Sequence, residues 1–116
     1  MKSKNSLVDL HLEIIKERKK YFKDSYFKKI KLIAKKILKD ENIELLVFGS
    51  FVKNKIHPLS DIDIMIISKK PTVENWIKLK GEVDRKFKNN PFEIHLINKE
   101  MWEKWYKKFC SEFRRI

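Results

Sequence analysis

Cysteine is almost missing from this 116-residue chain, with Cys110 the only one. A single thiol builds neither a disulfide framework within the chain nor a cysteine-based zinc site. Glycine and proline are scarce as well, two and three residues. That argues against an all-β fold strung on many tight turns. No apolar run is long enough to span a bilayer. The opening MKSKNSLVDLHLEIIKERKK has lysines with no uncharged apolar stretch behind them, so it does not read as a signal peptide. A cytoplasmic protein is expected. What the chain does not lack is core material. Hydrophobic residues make up 42%, with eight Phe, three Trp and three Tyr, which excludes global disorder. The length suits one domain, 1–116, and is short for two.

Acidic residues are outnumbered. The formal charge is +12, and residues 1–40 hold 13 Lys/Arg against 5 Asp/Glu, a net of +8. A basic face of this kind attracts the phosphates of nucleic acid or nucleotide, or an acidic partner. A lysine-rich solvated helix face fits the same numbers.

Hydrophobic spacing divides the chain. Residues 1–40 read as a basic helical segment. Ile30, Ile33, Ala34, Ile37 and Leu38 mark one helical face, and Leu7, Leu10, Ile14 and Tyr21 a looser stripe before it. Asp24 and Ser25 are expected N-caps of a second helix there, unless one long helix runs through. Residues 43–97 read as the sheet core. Ile43 to Phe48 is a short apolar run, the pattern of a strand buried on both faces. DIDIMIIS predicts a second strand, residues 73–88 a helix weakened by Gly81, and Phe92 to Ile97 a third strand. In residues 98–116, Trp102, Trp105, Tyr106, Phe109, Cys110 and Phe113 repeat at helical spacing and predict a C-terminal amphipathic helix. The order gives an α/β (α+β) layer fold, a small sheet of at least three strands flanked by helices.

The chemistry concentrates in VFGSFVKNKIHPLSDIDIMII. Strand side chains alternate, so Asp61 and Asp63 are expected on one face about 7 Å apart. Two such carboxylates repel each other unless a cation lies between them, and Mg²⁺ is a good candidate. A solvated strand end explains an isolated Asp-x-Asp equally well. Gly49-Ser50 adds a second element. Glycine lets a phosphate approach the backbone, and exposed amides with a serine hydroxyl bind anions. Together these are the parts needed to hold a nucleoside triphosphate with its Mg²⁺. Glu93, on the third strand, is the candidate third carboxylate of a two-metal site. His95 shares its face and is read as a packed or solvated histidine.

GSFVKNKIHPLSDIDI resembles the signature of the DNA polymerase β-like nucleotidyltransferases: Gly-Ser, ten residues, then Asp-x-Asp. Ser60 before the aspartates and the apolar IMII after them also fit. The chain is most similar to the minimal members, short archaeal and bacterial chains with little beyond the catalytic domain, and the similarity runs over nearly its whole length. It departs at Phe51, where many members have a basic residue, at Asn54, where many have glycine, and at Glu93, where Asp is common. The resemblance implies a mixed sheet and transfer of a nucleoside monophosphate, AMP from ATP being the expected case, with release of pyrophosphate. Gly49 and Ser50 would hold the triphosphate, while Asp61, Asp63 and Glu93 would be the catalytic, Mg²⁺-binding carboxylates. It also implies a small helical HEPN-domain partner in a toxin–antitoxin pair, docked on an exposed apolar helix face. The rival expectation is a non-catalytic module of the same fold that binds RNA or a protein through its lysines. Oligomeric state stays open, with a dimer or hetero-oligomer both compatible.

Overall fold

The structure is a computed structural model, and it describes residues 6–48, 61–109 and 112–116. Two helices come first, α1 (Leu7–Lys19) and α2 (Asp24–Leu38). The basic segment therefore breaks between them rather than running as one helix. The Ser6 hydroxyl caps α1 by accepting from the Asp9 amide. The expected capping of α2 by Asp24 or Ser25 is corrected: Lys23 is the N-cap and makes no side-chain cap. Asp24 lies in the first turn, where its charge suits the helix dipole, and its carboxylate pairs with Arg114.

The strands are β1 (Glu44–Phe48), β2 (Ile62–Ile67), β3 (Phe92–Ile97) and β4 (Phe113–Arg115), with α3 (Val73–Lys86) between β2 and β3. They form one sheet in the order β3-β2-β1-β4. β1 is antiparallel to both β2 and β4, while β2 and β3 are parallel. The sheet is thus mixed and flanked by helices. The expected helix over 98–116 is corrected at its end. Helix runs through α4 (Lys99–Met101), one π-helical turn (Trp102–Tyr106) and α5 (Lys107–Phe109), and the tail then adds β4 to the edge of β1. Pairing with the unpaired edge of β1 satisfies backbone groups that a longer helix would leave open.

Alternation splits β2 cleanly. Ile62, Ile64 and Ile66 are fully buried with Leu45, Val47, Phe92 and Ile94, under Phe27, Ile30 and Ala34 of α2 and Leu79 and Val83 of α3. Met65 and Ile67 face the other way, into a smaller cluster with Leu46, Ile97 and Trp102, against which Phe48, Tyr106 and Phe113 pack. Trp102 and Phe113 meet edge to face, 5.3 Å between centroids, which ties the helical tail to β4. α1 has no buried residue, and Leu7, Val8, Leu10 and Leu12 are exposed. Among the described residues no helix is long and apolar enough to cross a membrane.

Candidate active site

β2 and β3 run parallel in a register that places Asp63 opposite Glu93 and Met65 opposite His95. Period-two alternation then puts Asp63, Glu93 and His95 on the face opposite α2 and α3, the face on which Trp102 also packs. On that face the cluster of Met65, Ile67, Ile97 and Trp102 covers only one end. The other end keeps the polar side chains. One ligand atom from each of Asp63, Glu93 and His95 lies within 4.8 Å of the others. His95 Nε2 is 3.5 Å from Asp63 Oδ1 and 3.9 Å from Glu93 Oε1. The imidazole stacks on Phe48, 6.5 Å between centroids and 22° between planes. Phe48 is the β1 residue directly opposite Asp63, so three strands converge on the group.

Asp61 stands just before β2 and outside this group. Its carboxylate pairs with Arg18 Nη2 at 3.1 Å, a residue of α1 43 positions earlier. Asp61 is exposed whereas Arg18 is mostly covered, so the arginine is the anchored member. The structure therefore gathers two of the three expected carboxylates and gives the third a guanidinium counter-ion. Gly49 and Ser50, the expected triphosphate turn, lie outside the described residues. Two participants escaped the sequence reading. His95 was visible as a neighbour of Glu93 on one face, but its approach to Asp63 depends on strand register. Arg18 sat unmarked among thirteen basic residues.

A single carboxylate elsewhere shows what a satisfied acid looks like in this fold. Asp40 is buried where α2 ends, after Lys39 in the left-handed conformation (φ 51°). It accepts from the Asn42 amide at 3.0 Å, the Ser68 hydroxyl at 3.0 Å and the Lys69 amide at 3.2 Å. The Asn42 and Lys69 N–H groups, above all, hold its carboxyl below the ordinary range against the opposing effect of burial. Asp63 and Glu93 have no such donors among the described residues; their polar contact is His95.

The donor set fits a divalent cation. Two carboxylate oxygens and an imidazole nitrogen converge from adjacent strands, and carboxylates are the hard ligands Mg²⁺ and Mn²⁺ take. The family comparison decides what kind of site this is. Residues 28–111 match the family model described as polymerase beta, nucleotidyltransferase. The chain belongs to the polymerase β nucleotidyltransferase family. That span includes β1, β2, α3 and β3, the whole frame of the site. A crystal structure described as that of a candidate nucleotidyltransferase is 32% identical, with 78% of this chain and 97% of that chain covered and a TM-score of 0.61. A second, from Sulfolobus solfataricus and described in the same way, is 15% identical, covers 88% of this chain and 84% of its own, and has a TM-score of 0.56. At that identity it shows the fold alone. No curated protein matches the chain significantly.

Proposed function

We propose that this member of the nucleotidyltransferase family transfers a nucleoside monophosphate, AMP from ATP in the expected case, to a hydroxyl acceptor with the help of a divalent cation, Mg²⁺ by default. The observation that carries the reading is the meeting of Asp63 and Glu93 across the parallel β2–β3 pair, on the sheet face opposite α2 and α3. In this reading Asp63 and Glu93 hold the cation, and Asp61 joins them when Arg18 gives it up. When bound, the cation neutralises phosphate charge and so favours attack at phosphorus. The acceptor oxygen forms a bond to the α-phosphorus, the bond to the bridging oxygen breaks, and pyrophosphate leaves with the electron pair. In this reading Glu93, the more exposed of the two strand carboxylates, takes the acceptor's proton. Gly49 and Ser50 supply the triphosphate turn by resemblance.

The acceptor class and partner belong to the same proposal. The exposed Leu7, Val8, Leu10 and Leu12 of α1 offer apolar side chains to a helical partner, the HEPN-domain protein of a toxin–antitoxin pair being the expected one. A second reading has its own observation. Lys28, Lys29 and Lys36 are exposed on α2, Arg18 already neutralises Asp61, and a non-catalytic module binding RNA through this face fits both. Incubation with α-labelled ATP, Mg²⁺ and a co-expressed neighbouring protein or RNA separates them. Transfer of label by wild type and not by Asp63→Asn supports the enzyme. Absence of label, together with RNA binding that weakens steeply with salt, supports the module.

A further inference from the structure

We propose that His95 is a ligand of the cation held by Asp63 and Glu93, and that its nitrogen shifts the preference of the site from Mg²⁺ toward Mn²⁺. The inference rests on the cation-dependent reading above and adds to it the metal that the site selects.

Three observations carry it. First, His95 Nε2 stands 3.5 Å from one carboxylate and 3.9 Å from the other. Both distances exceed those of a good hydrogen bond, so neither closes the gap between the groups. Ligands at right angles around a cation of this size lie about 3 Å apart, so small side-chain rotations bring all three to one ion. Second, the ring is already oriented. Phe48 stacks on one face of the imidazole, and β3 fixes its backbone. A histidine that merely fills space does not need its Nε2 edge turned to two carboxylates. Third, the chemistry of the donors differs. Mg²⁺ takes oxygen ligands and keeps its waters, whereas imidazole suits the transition metals. Mn²⁺ shares the oxygen preference of Mg²⁺ but, as a transition metal, also takes histidine beside carboxylates, as di-manganese carboxylate–histidine sites do.

A histidine that only offset the carboxylate charge would act on every cation alike. A histidine that ligates would act on Mn²⁺ and spare Mg²⁺. The test is the affinity of the full chain for each metal alone, without nucleotide, in wild type, His95→Gln and Asp63→Asn, with Mn²⁺ followed by its electron paramagnetic resonance signal and Mg²⁺ by competition. Circular dichroism checks that each variant is folded. The expected result is that His95→Gln weakens Mn²⁺ by at least about tenfold, the scale of losses around metal sites, and leaves Mg²⁺ affinity essentially unchanged, since that ion takes oxygen ligands. Pulsed spectra of the Mn²⁺ complex should show coupling to an imidazole nitrogen that His95→Gln removes. Asp63→Asn should weaken both metals. If His95→Gln moves both cations equally, or neither, with no nitrogen coupling in wild type, His95 is not a ligand and the inference falls while the cation site stands. If wild type binds neither metal, the cation-dependent reading falls as well.

Discussion

The two ends of β2 carry carboxylates of opposite kinds. At the exit of the strand, Asp40 is buried and receives the Asn42 and Lys69 amides and the Ser68 hydroxyl. At the entrance, Asp63 and Glu93 share a partly open face with His95 and receive no backbone amide among the described residues. Between them, Ile64 and Ile66 are wholly buried under the helices. The contrast separates an acid engaged by the fold from acids left open to solvent or a ligand. Asp40 spends its acceptor capacity on the protein. Asp63 and Glu93 keep theirs available and bear their mutual repulsion for it. Mutations can therefore remove stability without activity, or activity without stability, according to which end they touch.

The largest expected effect lies between the two ends. Ile64→Ala should lower stability by about 2–5 kcal/mol in denaturant unfolding, the usual cost of such a cavity in a close-packed core. A loss below about 1 kcal/mol would mean that the helices pack on β2 less tightly than the burial of Ile64 implies. Next comes the entrance. Glu93→Gln should cut nucleotidyl transfer by more than about a hundredfold, as expected for a group that holds the cation rather than one behind it. Its melting temperature should be unchanged or slightly higher, because a like-charge contact is relieved.

Asp40→Asn should do the reverse, keeping transfer but losing about 1–3 kcal/mol at pH 7, the range for hydrogen bonds to a charged acceptor and for donors left short. Its pH dependence has a definite sign. The folded carboxyl titrates below its unfolded value near 3.9, so its contribution is complete above about pH 4 and disappears as the pH falls through the lower folded value. Wild type and Asp40→Asn should thus converge in acid unfolding experiments; a gap that widens below about pH 4 would contradict the assignment. The smallest effect belongs away from both ends. Gly81 sits inside α3 with nothing within 4 Å of where a Cβ would be. Gly81→Ala should add about 0.5–1 kcal/mol to stability by removing glycine's freedom in the unfolded chain, with activity unaltered.

Local pattern made much of this legible. β3 occupies Phe92–Ile97, the span expected of the third strand, and α3 begins at Val73 after the Thr72 cap. The resemblance carried by GSFVKNKIHPLSDIDI anticipated a mixed sheet, and the sheet is mixed. The misses share a cause, which is that distant partners decide them. Phe113 continues a helical stripe in sequence, yet it pairs with Phe48 in β4 because the edge of β1 is open. Asp24 looks like a cap, but Arg114 engages it from ninety residues away. His95 approaches Asp63 only once β2 and β3 are in register, and Arg18 meets Asp61 only once the end of α1 is brought to the start of β2. The roles given to Gly49 and Ser50 fall outside the described residues.

The central claim is that the polar end of the sheet, at Asp63 and Glu93, binds nucleotide through a cation these two carboxylates hold. Isothermal titration of ATP into the full chain, with and without divalent cation, in wild type and Asp63→Asn, tests it most directly. ATP should bind wild type with the cation present, bind far more weakly after chelation, and show no such difference in folded Asp63→Asn. Equal ATP binding by both proteins, indifferent to the cation, would contradict it.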